Sequence, residues 1–170
     1  MEREIERVAV LGAGTMGHGI AQVTAAAGCD VILCDTTEER AREGLARIRE
    51  NLEEGVRRGK VTAEALDATL ERLAPSGDLE RAVEGADLVI EAVPERFELK
   101  VDVLGKVDAH APVDAIVATN TSSLSVTDLQ CTTSRPERVV GMHFFNPVHI
   151  MKLVEVVRGR RSDESIVRAA

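Results

Sequence analysis

Val8-Ala9-Val10-Leu11-Gly12-Ala13-Gly14-Thr15-Met16-Gly17-His18-Gly19-Ile20 decides how this chain is read. Four apolar residues predict a buried strand, and the Gly-x-Gly-x-x-Gly that follows runs straight into a helical pattern. In that setting each glycine has a separate duty. Gly12 permits the tight turn out of the strand, Gly14 lets backbone approach a pyrophosphate, and Gly17 lets the new helix pack closely. Thr15 and Met16 complete the loop. A pyrophosphate would rest on the helix N-terminus, where free N–H groups and the macrodipole favour negative charge. A second apolar strand, Asp30-Val-Ile-Leu-Cys34, ends in Asp35, 18 residues after Gly17. A carboxylate that takes the ribose hydroxyls of a dinucleotide is wanted about there. The blander reading of Asp35 is a turn residue that caps the next helix. Because a carboxylate accepts from a free 2′-hydroxyl and repels a 2′-phosphate, NAD is favoured over NADP. Arg40 and Arg42, on the following helix, are expected to face solvent.

The bulk of the sequence narrows the class. At 170 residues the chain holds one domain, or one and the start of another. Its 44% apolar content is enough for a core, but only three residues are aromatic, all Phe, so that core must be aliphatic. A net charge of −8 argues against nucleic acid and anionic membrane as partners. Any polyanionic substrate must then be met by a local basic patch. Three cysteines without a C-x-x-C suggest reduced thiols and a cytoplasmic setting. The charged start, Met1-Glu-Arg-Glu-Ile-Glu-Arg7, has no hydrophobic signal region, and no apolar run is long enough to span a bilayer. No metal is called for.

Taken in order, the first helix is predicted to stop at Gly28. Thr36-x-x-Glu39 reads as a capping box, and Ala41, Leu45, Ile48, Leu52 and Val56 form one face of a long amphipathic helix. That helix ends in Arg57, Arg58 and Lys60, either a solvated helix end or a site for an anionic substrate handle. Thr62 to Leu73 makes a second, short helix of the same hairpin. Leu73-Ala-Pro-Ser-Gly77 reads as an edge strand and turn, Asp87-Leu-Val-Ile-Glu91-Ala92-Val93 as a buried strand closed by Pro94, and Ala115 to Thr119 as another. Phe97, Val101 and Leu104 mark the helix between, with Lys100 bordering their face. The fold class is therefore α/β: a Rossmann-type doubly wound, mostly parallel sheet with a helical hairpin inserted after the second strand. Ligands bind such sheets at the carboxyl ends of the strands, which places Glu91 to Glu95 and Asn120 to Ser123 beside the cofactor.

The last third carries the unusual chemistry. Ser125-x-x-Asp128 opens a short helix, and Val139-Val-Gly-Met-His143-Phe-Phe-Asn146-Pro147 is followed by Met151-Lys-Leu-Val-Glu155-Val-Val157. By alternation Met151, Leu153, Glu155 and Val157 share one face, which puts a carboxylate on an apolar surface where it needs a partner. His143 is the natural candidate. The pair is either a general base with a fixed tautomer or a brace between two strands.

Gly-Ala-Gly-Thr-Met-Gly, Asn-Thr-Ser-Ser-Leu and His-Phe-Phe-Asn-Pro-Val followed by Met-Lys-Leu-Val-Glu-Val together resemble the NAD-binding domain of the 3-hydroxyacyl-CoA dehydrogenases. The similarity runs through nearly the whole of residues 1–170. It implies NAD as cofactor and the oxidation of an (S)-3-hydroxyacyl-CoA to the 3-oxoacyl-CoA, in fatty-acid β-oxidation or butanoate-type metabolism. His143 would be the general base, Glu155 would hold and charge its imidazole, and Ser122 would bond the reacting oxygen near the nicotinamide. Asn146 would lie at the nicotinamide ribose and Asp35 at the adenosine ribose. Glu95 and Lys100 match cofactor contacts, while Asn51 and Arg58 match positions near coenzyme A. The family also has a second, mostly helical domain that supplies dimer contacts, closes over the substrate and contributes a catalytic asparagine. No counterpart of that asparagine is found here, and Ser162 to Ala170 reads as the start of a further helix. Residues 1–170 alone are thus expected to bind NAD and to turn over weakly or not at all. Two other readings stay open: a non-catalytic NAD-binding protein on this fold, and a β-hydroxyacid dehydrogenase acting on a free acid.

Overall fold

The computed structural model describes residues 5–170; the charged start read above falls in part on residues 1–4, outside the described residues. Strand β1 (Arg7–Leu11) leads through the glycine loop into α1 (Gly17–Ala26), and β2 (Asp30–Cys34) follows. Helices α2 (Glu38–Arg57) and α3 (Ala63–Glu71) form the hairpin, then come β3 (Leu73–Ser76), α4 (Leu79–Val83), β4 (Leu88–Glu91), α5 (Phe97–His110) and β5 (Ile116–Thr119). The chain continues through α6 (Val126–Gln130), a 3-10 turn, β6 (Val139–Phe144), β7 (Val154–Arg158) and α7 (Glu164–Ala169). The seven strands lie in the order β3-β2-β1-β4-β5-β6-β7, parallel throughout except for β7 against β6.

Alternation along the central strands explains why helices cover both faces. Val8 and Val10 of β1 point into one apolar layer with Ile20, Ala21, Leu33, Ile48 and Ile90. Ala9 and Leu11 point into the other, with Val83, Val89, Leu104, Val107 and Val117. A strand buried on both sides reads as a continuous apolar run, as β1, β4 and β5 do. Both layers are aliphatic, as the scarcity of aromatic residues requires.

The structure corrects the sequence reading at several points. Thr37, not Thr36, caps α2, its side chain accepting from the Arg40 N–H. Thr36 is spent on Asp35 instead. Asp87, Ala92 and Val93 lie outside β4, which is shorter at both ends. Helix α4 was not foreseen. At the far edge β7 begins only at Val154, so Met151 and Leu153 are outside it, and every residue of the strand is exposed. An edge strand has a neighbour on one side only, so alternation there does not imply burial.

The glycine loop is built on two constraints. Gly12 sits at φ +101°, and a Cβ there would lie 2.7 Å from the Ala92 carbonyl oxygen. A Cβ on Gly17 would fall 1.6 Å from the Gly12 carbonyl oxygen, so this glycine lets the helix start pack on the loop rather than on the sheet. Gly14, by contrast, has open space where its side chain would be. Gly17→Ala should therefore cost about 1–3 kcal/mol by overpacking against backbone, while Gly14→Ala should stay within about 0.5 kcal/mol of native stability. Urea denaturation of the two variants checks this, and equal midpoints would refute it.

Candidate active site

The carboxyl ends of β1, β2, β4, β5 and β6 open onto one cavity of about 870 Å³. Gly12, Gly14, Thr15 and Met16 line it, with Asp35, Ala92, Val93, Glu95, Asn120, Ser122, His143 and Asn146. Backbone pairing beyond the strand ends sets the floor: Gly12 N donates to Cys34 O at 2.7 Å, Ala92 N to Leu11 O at 2.7 Å, and Asn120 N to Glu91 O at 2.8 Å. The Asn120 side chain accepts from Phe144 N at 2.9 Å, which fixes the exit of β6 against that of β5.

Asp35 is anchored in the glycine loop. Its Oδ2 accepts from Ala13 N at 2.8 Å, and its Oδ1 from the Thr36 N–H at 2.7 Å and the Thr36 hydroxyl at 3.1 Å. Burial works to raise its pKa, but these donors and Arg40 outweigh it and hold the carboxyl below its usual range. Arg40 is exposed, as expected, yet its Nε lies 3.3 Å from Asp35 Oδ1 and its side chain lines the cavity. Cys34 is inert beside it, because burial first, then Asp35 and Asp78, push its thiol up to about 11.

Beneath the opposite wall lies a charge network. Lys100 is wholly buried on α5, with Nζ 2.7 Å and 3.0 Å from the two oxygens of Glu91, also wholly buried. The Thr119 hydroxyl and the Val93 N–H donate to the same carboxylate at 2.6 Å and 2.8 Å. Lys100 also reaches Val93 O at 3.3 Å and Glu95 at 3.4 Å. Glu95 in turn accepts from the Thr121 hydroxyl, from Ser122 N at 3.0 Å and from Ser123 N and Oγ, each at 3.2 Å. Burial opposes ionisation of Glu95, but Thr121, Lys100 and the two serine N–H groups hold its pKa at about 2. The expected direct contacts of Glu91 and Lys100 with a cofactor are thus replaced by a supporting role: both side chains are sealed behind the wall. Gly17 likewise supports the loop without lining the cavity.

On the other side β6 and β7 pair His143 with Glu155, and His143 Nδ1 is 2.9 Å from Glu155 Oε2. Glu155 is not the buried carboxylate expected, since its side chain is 54% exposed against 22% for His143. A carboxylate only accepts, so Nδ1 carries the hydrogen and Nε2 of the neutral ring is the proton acceptor. Phe145 packs against the imidazole at a centroid distance of 4.6 Å.

Asn51 and Arg58 are not brought to this cavity. Asn51 donates to Gln22 on α1 at 3.2 Å, and Arg58 is paired to Glu54, which also holds Arg57. Sequence reasoning missed Leu79, Leu99, Val103 and Lys106 in the lining. Leu79 belongs to the unforeseen α4, whereas Leu99 and Val103 stand beside the apolar face of α5 that was read.

A cavity of about 870 Å³ with an open Gly14 loop at a helix start, and a carboxylate anchored at the end of β2, fits a dinucleotide. Comparison with known proteins agrees. Residues 7–170 match the family described as 3-hydroxyacyl-CoA dehydrogenase, NAD binding domain. A probable 3-hydroxybutyryl-CoA dehydrogenase of Bacillus subtilis is 44% identical over 161 residues, which is 95% of this chain and 56% of that protein. Among solved structures, FadB2 of M. tuberculosis superposes with a TM-score of 0.94 at 40% identity, covering 98% of this chain and 59% of that one. The (S)-3-hydroxybutyryl-CoA dehydrogenase PaaH1 of Ralstonia eutropha gives 0.94 at 38%, covering 98% and 58%. The chain thus spans a little over half the length of these three relatives. It belongs to the 3-hydroxyacyl-CoA dehydrogenase NAD-binding domain family, an oxidoreductase family whose cofactor is NAD.

Proposed function

We propose that the protein oxidises (S)-3-hydroxyacyl-CoA to 3-oxoacyl-CoA. The observation that carries this reading is the His143–Glu155 pair, 2.9 Å apart, with His143 on the wall of the cavity that Ser122 and Asn146 share. NAD, when bound, supplies the acceptor for the hydride that leaves C3. The residues of this chain handle the proton and the developing charge. Nε2 of His143 takes the proton of the 3-hydroxyl, and Glu155 stabilises the imidazolium so formed. The Ser122 hydroxyl and that imidazolium stabilise the negative charge that develops on the reacting oxygen. Glu95 holds the Ser122 backbone, Gly14 and Thr15 face the pyrophosphate, Asp35 the adenosine ribose and Asn146 the nicotinamide ribose. Arg58 and Asn51, on the hairpin outside the cavity, are assigned to coenzyme A, with Arg58 leaving Glu54 to do so.

The relatives named as acting on 3-hydroxybutyryl-CoA support the substrate class. The reading sets the reaction in fatty-acid β-oxidation or butanoate-type metabolism in the cytoplasm, and Cys29, Cys34 and Cys131 are all free thiols, as that compartment favours. In the same reading residues 1–170 alone bind NAD but turn over weakly, because substrate closure is left to the further length that the relatives possess.

The direct test follows NADH formation from (S)-3-hydroxybutyryl-CoA, with NADH binding as control. His143→Ala should keep NADH binding and lower kcat by about 10²–10⁴-fold, the worth of a positioned general base. Loss of binding together with turnover would make His143 structural. Comparing residues 1–170 with a version as long as the relatives checks the second point. Equal kcat in both would overturn the claim that this stretch alone is weak.

A further inference from the structure

Two hydrogen-bond donors and one guanidinium converge on one oxygen of Asp35. The Thr36 N–H reaches Oδ1 at 2.7 Å, the Thr36 hydroxyl at 3.1 Å, and the Arg40 guanidinium stands 3.3 Å away. Oδ2 faces the other way, onto Ala13 N. The Asp35 side chain is only 14% exposed, while Arg40, in the first turn of α2, is 65% exposed and lines the cavity. The Arg40 contact runs through Nε and is not a bidentate fork, so the guanidinium is held by charge rather than locked by paired hydrogen bonds. Its neighbour Arg42 is spent on Glu38 and Lys106 on Asp102, whereas Arg40 stands directly beside Asp35 in the cavity lining.

We infer that Arg40 is a cofactor-specificity residue: with the Thr36 N–H and hydroxyl it makes a three-donor cradle for a 2′-phosphate, which the Asp35 carboxylate keeps filled. The inference rests on the reading that Asp35 faces the adenosine ribose. A free 2′-hydroxyl needs only an acceptor, and Asp35 supplies one. A 2′-phosphate would meet the carboxylate's charge, although the donors suited to it stand just behind. Discrimination against NADP therefore lies in one negative charge and not in the shape of the site. Neutralising that charge frees a planar guanidinium, an N–H and a hydroxyl for phosphate oxygens.

NADH and NADPH are titrated by fluorescence into the native chain, Asp35→Asn, Arg40→Ala and the Asp35→Asn/Arg40→Ala double variant, with thermal melts as the check on folding. Asparagine keeps an oxygen for Ala13 N while removing the charge. Asp35→Asn should weaken NADH by about tenfold and tighten NADPH by at least about tenfold, the worth of one charge-assisted hydrogen bond. The double variant should lose the NADPH gain and keep the weakened NADH binding. A gain that survives loss of Arg40, or no gain while NADH weakens, overturns the inference. Unchanged affinity for both nucleotides in folded Asp35→Asn overturns instead the placing of Asp35 at the ribose. Arg40→Glu, which leaves Asp35 in place, tests the cradle independently of whether Asp35→Asn folds. It should weaken NADPH about fivefold more than NADH, and equal effects on both would refute the role of Arg40.

Discussion

A lysine with no exposed surface holds this site together. Removing an ammonium group from water costs several kcal/mol after relaxation, and the structure tolerates Lys100 only because Glu91 meets it with both oxygens. The pair is completed by the Thr119 hydroxyl and the Val93 N–H on Glu91, so no buried side-chain polar atom among the described residues lacks a partner. Taking either member away would leave a buried charge, a loss of about 3–5 kcal/mol. What the network secures is geometry. It joins the ends of β4 and β5 to α5, and through Glu95 it gathers the Thr121–Ser123 turn, so an aliphatic sheet delivers a fixed polar rim.

The sheet itself was legible because its signals are local. A glycine loop after an apolar run, a strand ending in a carboxylate and continuous apolar segments between helices each carry their meaning within a dozen residues. Lys100 was not legible. On α5 it sits at the border of an apolar face, where a lysine ordinarily snorkels to water, and its partner Glu91 is a strand residue whose side chain no periodicity aims at it. The helix α4 has five residues, too few for a 3.6-residue pattern to show. At Thr36-Thr37 two equivalent residues compete to cap α2, and the choice fell to Thr37 because Asp35 takes Thr36. Only the tertiary anchoring of Asp35 to Ala13 decides that.

The pairing of His143 with Glu155 shows a different balance. Its existence could be read from alternation, because an antiparallel neighbour places the two residues directly opposite each other, close enough for side chains to meet. Its environment could not. β7 runs antiparallel at one edge of the sheet, so its valines and its carboxylate stand in solvent, where an inner strand would have buried them. The imidazole is left between the two regimes, tethered to an exposed carboxylate on one side and facing the cavity on the other. That position lets Glu155 fix the tautomer without drawing the ring away from the cavity wall.

Net charge and local charge point in opposite directions. A chain at −8 should repel a dinucleotide, yet the carboxylates around the cavity are not bare. Asp35 is enclosed by Ala13, Thr36 and Arg40, Glu91 by Lys100, Thr119 and Val93, and Glu95 by the Thr121–Ser123 turn. Each negative group has its field spent on donors of the protein's own, so what faces a phosphate at the glycine loop is the N-terminal end of α1. The same accounting applies outside the cavity, where Glu54 holds both Arg57 and Arg58. A phosphate arriving there would compete with one solvent-exposed carboxylate for two guanidinium groups, an exchange that surface ion pairs, worth little in water, do not resist.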